Sequence, residues 1–209
     1  MVTTMGIYGR IVFPRLLEWT LGSNIIERER RLALSTSEGR TLEIGFGTGL
    51  NLACYPETVT HLTAIDSEPV LQALVAKRVD ESPIPVEQVN LDASERLPFA
   101  DSTFDTVVST FTLCSIADVD AALEEMKRVM NQSGRLLFLE HGRSDDQSVA
   151  RWQDRLNPLQ NFVGRGCNLN RPIDMLVQRA GFRIETLERY VLKDTPRLTG
   201  TMYRGVARL

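Results

Sequence analysis

The apolar run Thr41–Gly45 passes without a linker into Gly45-Phe46-Gly47-Thr48-Gly49. Three glycines at alternate positions directly after a short strand mark a tight turn. There the backbone passes close to another surface, and a Cβ would collide or force unfavourable dihedrals. A helix-like stretch, Leu50–Tyr55, follows and stops at Pro56, so the turn also faces a helix N-terminus with free N–H groups. A plain strand-to-helix connection also favours glycine, so the decision rests on what comes next.

Downstream, short apolar runs alternate with helical stretches. A second strand, His61–Asp66, leads into an amphipathic helix, Pro69–Asp80, with Val70, Leu71, Leu74 and Val75 on one face. Pro83 and Pro85 bracket a turn before a third strand around Val86–Leu91. The β-branched run Phe104–Phe111 reads as a fully buried fourth strand. Asp118 can cap a helix running to Met130, and Gly134 opens a fifth strand, Arg135–Glu140. This alternation predicts an α/β fold: a mostly parallel sheet with helices on both faces. Two regions depart from that plan. Ile11–Leu21 and Ile25–Leu34 look helical and precede the first strand. After a helix near Ile173–Ala180, the runs Phe182–Leu192 and Thr201–Leu209 lie so close together that one must be antiparallel.

Strand ends in such a sheet share one edge, where ligands bind. Asp66 ends the second strand 21 positions after Gly45, where a carboxylate can accept both hydroxyl hydrogens of a ribose. Capping the next helix is its plain alternative. Asp92 ends the third strand and can accept a hydrogen bond from an adenine amino group; otherwise it is a solvated loop aspartate. A dinucleotide fingerprint would put its third glycine at Leu50, and no Gly-Lys-Ser/Thr ends a phosphate loop. A formal net charge of -3 argues against a general binder of phosphate backbones, so no nucleic-acid partner is expected. No apolar run reaches the roughly 18 residues of a membrane span, and Met1–Arg10 lacks the features of a signal peptide. Cys54, Cys114 and Cys167 are odd in number and widely spaced, with neither a disulfide framework nor a metal-type pairing. A cytoplasmic location and no metal are the resulting expectations.

Leu42-Glu43-Ile44-Gly45-Phe46-Gly47-Thr48-Gly49 resembles the first motif of class I S-adenosylmethionine-dependent methyltransferases, and Asp66 matches that superfamily's ribose-binding acid. Leu97-Pro98-Phe99 with Phe104-Asp105 is similar to a signature of the small-molecule (type 11) branch. The resemblance implies a Rossmann-like seven-stranded sheet of order 3-2-1-4-5-7-6 with strand seven antiparallel. One domain would span residues 1–209: a helical lid (1–39), a cofactor-binding core (40–141), and substrate-side helices with a C-terminal hairpin (142–209). The implied cofactor is S-adenosyl-L-methionine. Gly45, Gly47 and Gly49 would wrap its methionine and ribose portions. Glu43 would sit near the amino group or merely brace the loop. Ser67 would flank the ribose and adenine, Ala93 would offer a backbone N–H beside the adenine, and Thr110 would meet the methionine end.

The implied partner is a small-molecule methyl acceptor. After the fourth strand stands Ser109-Thr110-Phe111-Thr112, not the Asn/Asp-Pro-Pro-Tyr type of tetrapeptide of nucleic-acid amino methyltransferases. His61 begins the second strand, away from the ligand edge, and reads as structural. His141 follows the fifth strand at that edge, where it can orient or deprotonate an acceptor, or cap a turn. Leu139-Glu140-His141-Gly142, Trp152-Gln153, Asn157-Pro158 and Gly166-Cys167-Asn168-Leu169-Asn170-Arg171 are similar, in order, to thiol S-methyltransferases of the methyltransferase-like group. Those relatives carry an N-terminal apolar anchor that this sequence does not show. By this resemblance Trp152, Cys167, Arg171 and His141 are candidate substrate residues. For Cys167 the alternative is a small buried hydrophobe, and for Arg171 a salt bridge or loop cap. Tyr8, Phe13 and Trp19 read as core aromatics, with Tyr8 and Phe13 also candidates to face a substrate. The implied reaction is methylation of a small thiol or hydrogen sulfide. Methylation of a quinone precursor, lipid headgroup or other metabolite is the alternative, and a non-catalytic cofactor-binding module is the reading from another class.

Overall fold

The computed structural model describes residues 12–68 and 70–209, without the side chain of Phe13. Seven strands, β1 (Gly39–Ile44), β2 (Val59–Asp66), β3 (Val86–Asn90), β4 (Phe104–Thr110), β5 (Met130–His141), β6 (Arg183–Val191) and β7 (Thr201–Arg208), form one sheet of order β3-β2-β1-β4-β5-β7-β6. The pairs from β3 through β5 are parallel, and β7 runs antiparallel to both β5 and β6. The sequence expectation of a mixed seven-stranded sheet is met. Among the described residues six α-helices accompany it: α1 (Phe13–Leu21), α2 (Asn24–Leu34), α3 (Gln72–Asp80), α4 (Val119–Val129), α5 (Gln147–Val163) and α6 (Ile173–Arg179). None of the described helices is long and apolar enough to cross a membrane.

Strand alternation divides the core. Leu42, Ile44, Val107, Leu136 and Phe138 pack with Leu123 and Met126 of α4 and with Ile173 and Val177 of α6. The residues between them turn to the opposite face, where Val108 and Leu137 meet Leu34 of α2, and Leu62 and Ala64 meet Val75 of α3. Asp118 accepts the Ala121 N–H at 3.0 Å and caps α4 as its sequence position predicts.

Three local assignments change. The helix expected over Leu50–Tyr55 is a single 3-10 turn, Leu52–Cys54. Tyr55 precedes Pro56, which disfavours the α region, and it is extended at φ -69° and ψ 137°. The helix expected from Pro69 begins at Gln72. Asp66 is drawn instead into a tight turn by the Glu68 N–H at 2.9 Å, which removes it as a helix cap. The resemblance implied helices within 142–209, but residue periodicity did not locate α5, because Pro158 stands in its interior and its composition is polar. It is capped by Asp146 and pinned by buried Gln153, whose amide reaches Ser144, Gly142 and Leu198.

Gly205 sits opposite Phe138 on β5 and Leu187 on β6. A Cβ there would strike the Phe138 ring and come within 2.8 Å of the Thr186 carbonyl oxygen. Gly205→Val is expected to lower stability by about 1–3 kcal/mol, read as a lower denaturation midpoint at unchanged m. A midpoint equal to wild type would show that the ring has room to move.

Candidate active site

Strands β1 to β4 all end at one edge of the sheet, and a cavity of about 1470 Å³ opens there. Its floor is the glycine turn. Gly45, Gly47 and Gly49 have φ of 75°, 56° and 78°, the left-handed region that only glycine enters without strain. A Cβ on Gly45 would collide with Thr112, so this glycine serves the fold. A Cβ on Gly47 would meet nothing within 4 Å, so the crest of the turn faces open space that a ligand can fill. The Gly47 N–H donates to Asp66 at 2.7 Å, tying the turn to the end of β2. Burial pushes the Asp66 carboxyl above its ordinary range, the Glu68 and Gly47 N–H groups opposing that rise. Asp92 holds its own turn by accepting from the N–H and hydroxyl of Ser94. Ser67, Asp92, Ala93 and Thr110 all line the cavity.

Beneath the turn lies a buried polar cluster that the sequence reading did not find. Arg30 of α2 is 5% exposed and lies in the cavity wall. One guanidinium nitrogen donates to Asn51 Oδ1 at 2.7 Å and to Thr110 Oγ1 at 2.8 Å, and the group lies over the Phe111 ring. The Asn51 amide donates in turn to Glu43, whose other oxygen accepts from the Tyr55 hydroxyl at 2.7 Å. Glu43 is therefore observed bracing the glycine turn while still contributing to the wall. The available signal was register. Ile26, Arg30, Ala33 and Leu34 form the buried stripe of α2, so Arg30 stands where an apolar residue belongs.

Helix α1 is latched to the same turn. Glu18 pairs with Arg78 of α3 and accepts from Thr48 Oγ1, while Arg78 donates to the Thr48 carbonyl at 2.7 Å. Trp19, read from the sequence as core, is 78% exposed at the cavity rim. Tyr8 and the Phe13 side chain lie outside the described residues.

At the far wall, Glu140 of β5 accepts from Ser109 Oγ and from the N–H groups of Thr112 and Leu113. Asn168 binds the Cys114 carbonyl twice, through its backbone N–H and its amide. These contacts fix the loop after β4 against the loop after α5. His141 Nε2 then lies 3.0 Å from Cys167 Sγ, and Cys114 Sγ completes a group whose ligand atoms all fall within 4.8 Å of one another. The linear spacing of the cysteines had suggested no such pairing; the correction follows from two loops meeting over the end of β5. The contact with Cys114 and burial push the Cys167 thiol up, with His141 opposing.

Two candidate substrate residues are elsewhere. Trp152 is 54% exposed on the outer side of α5, with Arg155 over its ring, and it does not line the cavity. Arg171 donates to the Leu113 carbonyl and braces the loop of Cys114 from outside the cavity. His61 Nε2 lies 3.9 Å from Glu87 on the neighbouring strand and does not line the cavity.

Burial raises the Glu43 pKa to about 7, against the hydrogen bonds of Tyr55 and Asn51 and the charge of Arg30. The protonated form is favoured in the folded state. That contribution is whole below the ordinary value of 4.5 and is lost as pH rises through about 7. Between about pH 5 and about pH 8, wild type should therefore lose stability relative to Glu43→Gln, which cannot ionise. Parallel stability curves for the two proteins would refute this.

A family model described as a methyltransferase domain matches residues 42–138. Thiol S-methyltransferase TMT1B is 32% identical in Rattus norvegicus, over 74% of this chain and 64% of that protein. Its Homo sapiens form is 30% identical, over 78% of this chain and 71% of that protein. Phosphatidylethanolamine N-methyltransferase of Cereibacter sphaeroides is 32% identical over 60% of this chain and 62% of its own length. The chain thus spans about three fifths of several curated relatives it matches. The fold is also that of the Burkholderia thailandensis 1,6-didemethyltoxoflavin-N1-methyltransferase, solved with bound S-adenosylhomocysteine. That structure has a TM-score of 0.64 at 17% identity, with coverage of 91% of this chain and 80% of that one. A sheet of this order, the glycine turn with Asp66 at its edge, and a human relative matched over most of its length agree: the chain belongs to the class I S-adenosylmethionine-dependent methyltransferases.

Proposed function

We propose that this chain transfers the methyl group of S-adenosylmethionine to a small thiol or hydrogen sulfide, leaving S-adenosylhomocysteine. The observation that carries this reading is a single cavity joining the glycine turn to a wall of Cys114, His141 and Cys167. The similarity to proteins named thiol S-methyltransferase supports the acceptor class. The open space above Gly47 fits a cofactor lying against the turn.

The cofactor supplies a methyl group already activated by its sulfonium, so the protein's work is to bind, align and exclude water. Asp66 accepts the ribose hydroxyls with lone pairs left over from Gly47 and Glu68. Asp92 and the Ala93 N–H take the adenine, with Ser67 beside them. Arg30, held by Asn51 and Thr110, sets a positive charge at the methionine carboxylate. Helices α1 and α2 form a lid whose fixed point is the Glu18–Arg78–Thr48 latch. His141 and Cys167 stand at the acceptor end, where His141 orients the incoming sulfur.

Asp66→Ala removes charge-assisted hydrogen bonds worth about 1.5–3 kcal/mol each, so calorimetry with S-adenosylhomocysteine should show a roughly ten- to hundred-fold weaker affinity. Unchanged affinity would rule out the ribose contact.

The acceptor is tested by incubating the protein with methyl-labelled cofactor and, separately, small thiols, sulfide, quinols and ethanolamine lipids. Label is expected in the thiol and sulfide products. Label confined to the lipid headgroup would instead favour the second reading, N-methylation, to which the similarity with phosphatidylethanolamine N-methyltransferase points. Cofactor binding without transfer to any acceptor would mark a non-catalytic module.

A further inference from the structure

We propose that Cys114, His141 and Cys167 form a binding site for one thiophilic divalent cation, Zn²⁺, with a fourth coordination position open to the cavity for the acceptor sulfur. The assignment of that fourth ligand rests on the thiol reading above; the metal site itself does not.

The geometry comes first. In a tetrahedral zinc site Zn–S is about 2.3 Å and Zn–N about 2.0–2.1 Å, which puts neighbouring ligand atoms about 3.5–3.8 Å apart. Here His141 Nε2 and Cys167 Sγ are 3.0 Å apart, and all three ligand atoms lie within 4.8 Å of one another. Forming the site spreads the His141–Cys167 pair by about 0.5 Å and draws a 4.8 Å span in by about 1 Å, within reach of side-chain rotation. The donor set comes second. Two thiolates and an imidazole suit a borderline-soft d¹⁰ cation and do not suit Mg²⁺ or Ca²⁺, which take oxygen. Three protein ligands with a vacant position are the arrangement of catalytic rather than structural zinc.

Polar side chains stand beside both sulfurs. Gln160 Nε2 lies 3.6 Å from Cys167 Sγ and Ser115 Oγ lies 3.4 Å from Cys114 Sγ, so each sulfur has a polar neighbour able to donate to a thiolate. The ligands are also held from behind. Glu140 fixes the N–H groups of Thr112 and Leu113, Arg171 takes the Leu113 carbonyl, and Asn168 takes the Cys114 carbonyl. These contacts hold the two cysteine-bearing loops at one spacing before any ion arrives. All three ligands line the large cavity, which gives an entry path and places the open position where an acceptor would enter.

The chemistry balances without an oxidant. Binding of the ion displaces two thiol protons to solvent. An acceptor R–SH then replaces a metal-bound water. The S–H bond breaks, the proton leaves to solvent, and the sulfur keeps the electron pair as a metal-bound thiolate. A thiol that is mostly protonated near neutral pH is thereby presented in its nucleophilic form.

The test uses the whole chain, stripped with chelator and titrated with Co²⁺ as a spectroscopic stand-in for Zn²⁺. One equivalent should produce a thiolate-to-cobalt charge-transfer band with tetrahedral d–d bands, and Zn²⁺ should abolish them by competition. Cys167→Ser and His141→Asn should each weaken binding by more than ~100-fold, the upper range for loss of an outer-sphere partner alone. Cys114→Ser is the harsher variant because that side chain is buried, so circular dichroism accompanies all three. Absence of the bands, bands indifferent to the variants, or a Cys114–Cys167 disulfide in the protein prepared under reducing conditions would overturn the site. Adding a small thiol to the cobalt form should shift the d–d bands, and an unmoved spectrum would overturn acceptor coordination. Metal binding with no thiol methylated would defeat the functional reading and leave the metal site standing.

Discussion

A guanidinium buried in the wall of a ligand cavity must be compensated by its surroundings, and much of this site is the compensation for Arg30. Removing such a charge from water costs several kcal/mol unless partners replace the lost hydration. Asn51 and Thr110 accept from one of its nitrogens, Phe111 presents its ring face, and Glu43 lies in the next layer. Three separate pieces of chain are thereby bound to one another: helix α2, the stretch from the end of β1 through the glycine turn to Asn51, and the end of β4. The helices that precede the sheet in sequence are held to its ligand edge by this cluster, together with the Glu18–Arg78 latch. Phe111 accepts a φ of 55°, unusual for a bulky residue, at the point where β4 ends and the cavity begins.

A second buried acid organises the opposite wall. Glu140 is fully buried, and burial raises its pKa against the hydrogen bonds from Thr112, Leu113 and Ser109. Those bonds turn the chain sharply after β4 and carry Cys114 across the end of β5. Next along the same strand, His141 points to the other side and meets Cys167. Alternation along β5 thus assigns neighbouring residues to different tasks, Glu140 to shaping a loop and His141 to the cavity. Arg171 and Trp152 show the converse. Both belong to stretches read as resembling thiol S-methyltransferases, yet one braces a loop from behind and the other lies exposed on α5. A motif marks a neighbourhood, while the direction of a side chain decides whether it reaches a ligand.

The sequence by itself determined the sheet and its ligand edge. Alternating apolar runs, glycines at positions 45, 47 and 49, and acids at the ends of β2 and β3 are local features. Backbone dihedrals and strand periodicity act over a few residues and need no knowledge of distant contacts. The C-terminal hairpin was legible for the same reason, since two strands close in sequence leave room only for an antiparallel return. Tertiary structure alone decided what stands beside what. Arg30 meets Thr110 across 80 positions, Glu140 meets Thr112 across 28, and Cys114 meets His141 and Cys167 through two loops that share no local signal. Helix α5 was hidden because Pro158 disfavours a helix locally, and its capping by Asp146 and the buried amide of Gln153 accompany the continuous helix nonetheless. Cavity walls are assembled from such long-range meetings, fixed by packing and by hydrogen bonds to buried polar groups. No window of sequence contains that information.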